Sequence, residues 1–437
     1  MLINKVKIRN AIKYQSTNLI LPIIVGFACG LEAIIVRTVI PSTFNFIIKL
    51  ADLAGSFRIL VPLAFLLTGA LITGLLAKIS GKTSGFGLDV AIRSYHLEAG
   101  LMSYSFTPLK FLSTFFTLGF GGSGGLVGPT ASIGQGTASY FSRLFKLSYK
   151  DSRILALCGL AGCVSGLLHT PFGAAVFALE LCYLGGIIYD DLIPVFISSV
   201  SAYIMSARII RLIPLGNIFH QPHLFRTVIY DTPFPWSLDY IIYSILAALG
   251  TTVAGILFIK SFQWIQSFTQ KRISVYYKPL IGAAMVGLVA AVFFRNNLTY
   301  VLGEAGNLVE YCASGAIYSL KMAFILLVGR WITTFLTVGF DGSGGLFAPT
   351  VLMGGLVGTI VARLLGIVNV KVLVTTGISA ALVGVINVPI AAIIIVIEVF
   401  GISYLIPAVI GSTIAYLLAR NFVIYPHIQN YQQYDRF

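Results

Sequence analysis

Eleven long apolar segments, separated by short polar gaps, restrict the folds open to this chain more than any other feature. A helix needs roughly 20 predominantly apolar residues to cross the hydrocarbon core of a bilayer. The segments lie near residues 18–40, 59–79, 101–127, 153–184, 189–211, 239–263, 277–294, 319–339, 343–367, 371–400 and 403–424. We therefore predict an all-α polytopic membrane protein in which residues 1–437 form a single transmembrane domain.

Composition and charge exclude the soluble classes of protein. Apolar residues make up 57% of the chain and charged residues 10%, against roughly 45–50% and 25% in soluble domains. The net charge of +14 comes from basic residues that lie mostly in the gaps between apolar segments or near the segment ends, which is typical of cytoplasmic loops. Lys5, Lys7 and Arg9 precede the first acidic residue, Glu32. We predict a multi-pass protein in the lipid bilayer of a bacterial inner membrane, with both termini cytoplasmic and no nucleic-acid partner.

Two segments of the chain repeat each other. Residues 119–144 read GFGGSGGLVGPTASIGQGTASYFSRL, and residues 339–364 read GFDGSGGLFAPTVLMGGLVGTIVARL. At an offset of 220 they agree at twelve positions, which include glycines, a Pro-Thr pair and an arginine. Chance similarity between Gly-rich segments explains a few shared glycines, but it does not explain proline and arginine in the same register. The repeat is therefore evidence of duplicated halves.

The segments that follow also match, at an offset of 218, with Pro171 opposite Pro389 and Glu180 opposite Glu398. Duplicated halves interrupted by Gly or Pro at membrane depth are typical of transporter folds whose site lies between the repeats. We place the halves at about 18–211 and 239–425. We expect Glu180 and Glu398 to fix helix ends, and the alternative for Glu180 is a residual proton path.

The two glycine-rich loops predict an anion site. GSGGLVGPT (122–130) and GSGGLFAPT (342–350) each read as an extended loop that leads into a helix, because proline suits the first helical turn. Free amides and the helix dipole at such an N-terminus attract anions. Neither loop contains Lys or Arg, so the attraction is moderate, as conduction requires. In a third segment, KTSGFGLDVAI (82–92), Ser84 either caps a helix, the commoner role, or offers its hydroxyl to an anion.

No pattern of residues indicates an enzyme, a cofactor or a metal site. The five cysteines lie in or beside apolar segments without a C-x-x-C pair, which favours buried small side chains. The histidines are scattered without metal-ligand spacing, and no Ser/His pair or acidic cluster stands at motif spacing. We therefore predict no cofactor and no bound metal.

With these motifs in order, the chain resembles the CLC chloride channel and transporter family from about residue 18 to 430. TSGFG (83–87) resembles the family's GSGIP motif, although Gly87 replaces its proline. GLVGP (125–129) resembles G(K/R)EGP, and GLFAP (345–349) resembles GxFxP. PFGAAVFALEL (171–181) and PIAAIIIVIEV (389–399) resemble the family's two Pro-to-Glu helices.

The resemblance implies an inverted-repeat fold with broken helices and a homodimer with one anion pore in each subunit. It further implies that chloride meets the Ser84 hydroxyl, the backbone amides of Leu346 and Phe347, and the hydroxyl of Tyr425. The alternative for Tyr425 is an aromatic at the membrane interface. A serine at position 84 implies selectivity of the chloride type. Some members of the family add a cytoplasmic nucleotide-binding domain, and we expect none here because the sequence ends at Phe437, soon after Tyr425.

Two departures from the family pattern bear on mechanism. The gating glutamate of G(K/R)EGP is Val127 here, and the backbone of Gly125, Leu126 and Gly128 forms the expected outer site around it. The inner proton-transfer glutamate is replaced by Leu181. Coupled exchange needs protonatable groups inside the membrane. The sequence therefore favours a passive chloride channel, with a chloride/proton antiporter or a slow uncoupled transporter as the alternative.

Overall fold

The computed structural model describes residues 19–80, 87–212, 237–304, 306–317 and 319–430, and these ranges contain sixteen α-helices. The helices are α1 Leu21–Leu53, α2 Leu60–Ser80, α3 Gly87–Leu97, α4 Phe106–Thr114, α5 Val127–Leu144, α6 Tyr149–Leu168, α7 Pro171–Leu181, α8 Leu192–Leu212, α9 Leu238–Arg272, α10 Lys278–Phe293, α11 Gly306–Ala313, α12 Leu320–Val338, α13 Phe347–Leu364, α14 Val370–Ala381, α15 Pro389–Phe400 and α16 Leu405–Ala419. Within these ranges, eight helical segments are long and apolar enough to cross a membrane. The predicted all-α polytopic membrane fold is confirmed.

Broken helices occur where the sequence predicts them. The apolar run 153–184 divides into α6 and α7, because His169 adopts a left-handed conformation (φ 59°) and Pro171 then begins a new helix. The run 371–400 divides in the same way, with Asn387 left-handed (φ 66°) and Pro389 as the first residue of α15. Each break thus combines a helix stop with a proline start at equivalent places in the two halves.

Other boundaries differ from the apolar pattern. Helix α1 continues well past the first apolar run to Leu53, and Pro41 lies inside it. The short helices α3 and α11 lie outside the apolar segments, since their sequences mix polar and apolar residues. A search for apolar runs identifies the segments that cross the membrane, but it does not detect short amphipathic helices that support a site.

Corresponding helices of the two halves pack in the same way. A β-carbon on Gly134 of α5 would lie 2.2 Å from the Gly159 carbonyl oxygen of α6. A β-carbon on Gly354 of α13 would lie 2.3 Å from the Gly377 carbonyl oxygen of α14. Small residues let helix backbones approach closely in membrane proteins. Both helix pairs therefore depend on glycine at the crossing.

The C-terminal segment returns to the end of α7. Two residues after α7, β1 (Tyr183–Leu184) pairs in parallel with β2 (Gln429–Asn430). The Gln263 side chain of α9 also donates to the Val423 carbonyl oxygen at 2.9 Å. These contacts hold the residues that follow α16 against the rest of the fold.

Candidate anion site

The two glycine-rich loops meet at a single pair of residues. Gly125 and Gly345 form an antiparallel bridge, in which the Gly125 amide donates to the Gly345 carbonyl at 2.8 Å and the Gly345 amide donates to the Gly125 carbonyl at 2.7 Å. The bridge joins equivalent positions of the repeat. It also corrects one expectation, because the Gly125 amide is engaged in the bridge and is not a donor for an anion.

Helices α5 and α13 begin two residues after the bridge with the same local structure. Leu126 and Leu346 are the N-caps, and each carbonyl accepts the amide and the hydroxyl of a threonine four residues later, Thr130 or Thr350. The hydroxyl bonds are both 2.7 Å long. Because the threonine hydroxyls face the helix's own carbonyls, only backbone amides remain at the two N-termini.

The first-turn amides of the two helices are the donors available to an anion. The first amides of a helix have no partner within the helix, and those of Val127, Gly128, Phe347 and Ala348 have none elsewhere in the described ranges. Gly345 also approaches Gly128, since a β-carbon on Gly345 would lie 2.8 Å from the Gly128 nitrogen. The two positive helix ends are therefore adjacent, which is the electrostatic basis of an anion site.

A third helix begins at the same place. A β-carbon on Gly87, the first residue of α3, would lie 2.5 Å from the Gly128 carbonyl oxygen. The N-termini of α3, α5 and α13 therefore converge. Ser84, which precedes α3 in the sequence, lies outside the described residues.

The residues that the sequence predicts at the gate and proton positions are buried and apolar. Leu126, Val127 and Leu181 are each fully buried. Val127 is the first residue of α5, so its isopropyl group stands at the helix N-terminus. Neither Val127 nor Leu181 can bind or release a proton.

Phe347 connects the start of α13 to the middle of α7. Its ring packs edge-on against Phe177 of α7, with ring centroids 5.6 Å apart. Both rings are fully buried. The packing fixes the first turn of α13, and with it the Leu346 and Phe347 amides.

Tyr425 is buried with only 1% of its surface exposed. The pairing of β1 with β2 holds the segment that contains it. Burial raises the pKa of the Tyr425 phenol well above its usual range, and nearby Asp89 in the first turn of α3 raises it further. Tyr425 is therefore a neutral hydroxyl beside the start of α3, rather than an exposed interface aromatic.

The family follows from comparison with known proteins. A sequence profile described as "Voltage gated chloride channel" matches residues 68–420. The chain belongs to this family. It is 26% identical over 412 residues to an uncharacterized protein of Methanocaldococcus jannaschii, covering 93% of this chain and 94% of the relative.

Relatives with described activities are of more than one kind. The chain is 23% identical to a chloride/fluoride channel protein of Pseudomonas syringae (80% of this chain, 75% of the relative). It is 27% identical to an H+/Cl− exchange transporter of Vibrio campbellii (84% of this chain, 78% of the relative). The family is one of anion channels and transporters, and these names indicate no enzyme.

Solved structures confirm the fold. A CLC-type fluoride/proton antiporter superposes with a TM-score of 0.79 at 20% identity, covering 96% of this chain and 99% of the other. A slow cyanobacterial Cl−/H+ antiporter superposes with a TM-score of 0.80 at 18% identity, covering 93% and 94%. The predicted CLC-type architecture of the chain is confirmed.

Two buried cations behind the loops were missed by the sequence reasoning. Lys110 in α4 is 0% exposed and Arg330 in α12 is 3% exposed. The offset of 220 that relates the loops also relates these two residues. Arg330 Nη1 donates to Ser123 Oγ at 2.9 Å, and its Nε and Nη2 have no hydrogen-bond partner in the described ranges. Extending the repeat upstream would have found this pair.

The same repeat builds hydroxyl contacts around both loops. The Ser123 amide donates to Thr337 Oγ1 at 3.0 Å, and the Ser343 amide donates to Thr117 Oγ1 at 3.1 Å. Ser343 Oγ also lies 2.9 Å from the Thr114 hydroxyl, whose own proton goes to the Lys110 carbonyl oxygen. The loops are thus held by hydroxyls, with a buried cation in each half.

Glu180 and Glu398 cap each other's helices. The Glu180 carboxylate accepts the first amides of α15, from Ile390 at 3.0 Å and Ala391 at 2.9 Å. The Glu398 carboxylate accepts the first amides of α7, from Phe172 at 3.0 Å and Gly173 at 2.7 Å. The expectation that both glutamates fix helix ends is confirmed, and the two halves are joined there.

Proposed function

We propose that this chain conducts chloride passively through a CLC-type pore, without coupled proton transport. The observation that carries the proposal is Val127, which is fully buried as the first residue of α5 where the three helix N-termini converge. A carboxylate at that position competes with an anion and carries a proton. Valine does neither, so the anion meets backbone amides and no titrating group.

The proposed ligands of chloride are the amides of Leu346 and Phe347 and the hydroxyl of Tyr425, together with Ser84. Free amides at the start of α13 and the burial of Tyr425 support this set. The proposed outer site uses the amides of Leu126 and Gly128, without Gly125. Moderate attraction by dipoles admits the ion and also releases it.

The absence of proton coupling rests on two positions. Leu181 ends α7 without a carboxylate, and the neighbouring Glu180 is bound to the amides of α15. A proton path needs protonatable groups inside the membrane. Val127 and Leu181 remove such groups from both ends of the family's path.

A liposome experiment tests the proposal. Purified protein is reconstituted, a chloride gradient is imposed, and chloride efflux and internal pH are recorded together, with and without valinomycin. We expect efflux that requires valinomycin, with no proton movement driven by the chloride gradient. Empty liposomes measure the leak of the bilayer. The Val127→Glu variant shows how a carboxylate at this position changes efflux. Protons driven uphill by the chloride gradient would overturn the proposal.

The second candidate is a chloride/proton antiporter or a slow uncoupled transporter. It is favoured by the exchange transporter of Vibrio campbellii, a relative at 27% identity. An antiporter drives protons uphill in the same assay. A slow uncoupled transporter also needs valinomycin, but its efflux per protein is far below that of a pore.

We further propose the assembly and setting of the pore. The chain forms a homodimer with one pore per subunit in a bacterial inner membrane, with both termini cytoplasmic, and its inverted halves span about 18–211 and 239–425. The matched N-termini of α5 and α13 and the reciprocal caps of α7 and α15 support the two-half organisation. Single-molecule subunit counting tests the dimer.

A further inference from the structure

Three metal-ligating side chains meet away from the anion site. Cys29 and Glu32 lie three residues apart on α1, and Cys163 lies on α6. Their ligand atoms all lie within 4.8 Å of one another. Cys163 Sγ is 3.7 Å from Glu32 Oε2. The sequence separates Cys163 from the other two by more than a hundred residues, so spacing rules could not detect the group.

Close packing of three helices fixes the geometry of this cluster. A β-carbon on Gly134 of α5 would lie 2.7 Å from Cys163 Sγ, and one on Gly162 of α6 would lie 3.0 Å from Cys29 Cβ. Both cysteines are fully buried and free of disulfides. Since the glycines bring the backbones together, the thiols have little freedom to separate.

The carboxylate of the cluster faces a cavity. Glu32 lines a space of about 280 Å³ together with Ser103, Tyr104, Thr107 and Thr137. Thr137 donates its hydroxyl to Glu32 Oε1, which orients the carboxylate. A polar cavity of this size holds water, so a hydrated ion has room beside the carboxylate.

We propose that Cys29, Glu32 and Cys163 bind a soft divalent cation of the zinc class, with the fourth coordination position open to the cavity. Thiolates select such ions, and three protein ligands with one open position is a common zinc arrangement. Tetrahedral zinc with bonds of about 2.3 Å to sulfur and 2.1 Å to oxygen places those two atoms about 3.6 Å apart. The observed separation of Cys163 Sγ and Glu32 Oε2 is 3.7 Å.

The chemistry of binding is a simple exchange of protons for metal. Both thiols lose their protons when the ion binds, as metal ligation by cysteine requires. Two thiolates and one carboxylate then leave a net charge of −1 on the occupied site. The Thr137 hydroxyl plays the orienting role that outer-sphere hydrogen bonds have at metal sites.

Metal titration of the full chain in detergent, under a non-thiol reductant, tests the proposal. Zn²⁺ binding is measured by competition with a chromophoric chelator, and Cd²⁺ by its ultraviolet thiolate band. We expect one ion per chain with proton release. Glu32→Gln removes a ligand and weakens binding by more than the roughly 10- to 100-fold that loss of an outer-sphere hydrogen bond costs, and Cys29→Ser or Cys163→Ser weakens it further. Cys158→Ser, a buried cysteine on α6 outside the cluster, is the matched control and leaves binding unchanged.

The outcomes separate the site from its alternatives. Zn²⁺ binding that survives Cys29→Ser and Cys163→Ser together overturns the proposal, because the ion then sits elsewhere. Absence of a Cd²⁺–thiolate band in the unmodified chain also overturns it and indicates that the cluster is packing alone. This second measurement needs no variant, so it holds even where a substitution prevents folding. Neither outcome depends on chloride conduction.

Discussion

Val127 is the residue whose replacement tests the proposed mechanism most directly. In Val127→Glu a carboxylate stands at the N-terminus of α5, where the helix dipole stabilises a negative charge by about 1–2 kcal/mol. By competing for the site, the carboxylate therefore lowers the apparent affinity for chloride by roughly 5- to 30-fold. We expect slow chloride efflux at neutral pH and faster efflux in acid, because protonation removes the competing charge.

The control for this prediction separates charge from size. Val127→Gln has nearly the same shape as Val127→Glu and no titrating proton, so its efflux should not depend on pH. The measurement is valinomycin-dependent chloride efflux from liposomes across a pH series. Equal pH profiles for the two variants would contradict the competition argument.

Lys110 and Arg330 are buried basic residues beside loops that contain neither Lys nor Arg. The backbone carbonyl oxygen of Lys110 accepts the Thr114 hydroxyl, which also contacts Ser343 of the second loop. At an effective dielectric constant of 20, a unit charge about 12 Å from an anion attracts it by about 1.4 kcal/mol, which is tenfold in affinity. We therefore expect Lys110→Gln to lower chloride efflux by up to about tenfold.

The measurement again is efflux from liposomes, with Lys110→Arg as the charge-conserving variant. Lys150→Gln, at an exposed position in α6, is the matched control and should leave efflux unchanged. Efflux that falls equally in Lys110→Arg and Lys110→Gln would mean that packing, and not charge, explains the effect.

At the scale of elements, the reciprocal caps of α7 and α15 hold the two halves together. Each glutamate accepts two backbone amides of the other half's helix. A hydrogen bond to a charged group contributes about 1.5–3 kcal/mol, and an unpaired buried amide has a further cost. We expect Glu398→Ala to lower stability by about 2–4 kcal/mol, with Glu398→Gln affected less. Heating in detergent followed by size-exclusion chromatography measures the loss.

The capping prediction also separates structure from proton transfer. Glu180→Gln should reduce thermal stability while the chloride efflux of the folded protein keeps the same dependence on pH. Asp239→Asn, an exposed acid in the first turn of α9, is the control. It should lower stability by at most about 1 kcal/mol and leave the pH dependence of efflux unchanged. A changed pH dependence in Glu180→Gln would revive the alternative of a residual proton path.

The elements show which features a sequence reveals. Helices α5 and α13 were predictable because GSGG, proline and threonine recur in one register, and α7 and α15 because each begins at proline and carries a glutamate near its end. The Gly125–Gly345 bridge was not predictable, since the repeat says that two loops are alike but not that they touch. Lys110 was overlooked although it lies inside the apolar segment 101–127, because one cation hardly changes the mean hydropathy of a long segment.

At the scale of the whole molecule, the bridge between the halves decides whether the helix N-termini can converge. Gly345→Ala would place its β-carbon 2.8 Å from the Gly128 nitrogen and 3.0 Å from the Gly125 carbonyl oxygen. Both neighbours are backbone atoms, so the loops must separate. Overpacking costs about 1–3 kcal/mol. If it destabilises the conducting state alone, the population of that state decreases by roughly 5- to 160-fold. We expect chloride efflux to decrease within that range.

Gly125→Ala should have a similar effect, because its β-carbon would lie 3.0 Å from the Ala348 nitrogen, at the same place in the other half. Gly250→Ala in α9 is the control, since its nearest atom, in Val357, is 3.6 Å away. Efflux is measured on protein that elutes as a single species, so that misfolding is not mistaken for a loss of conduction. If Gly345→Ala conducts like Gly250→Ala, the close approach of the two loops does not control the pore, and the anion path must be sought elsewhere in the fold.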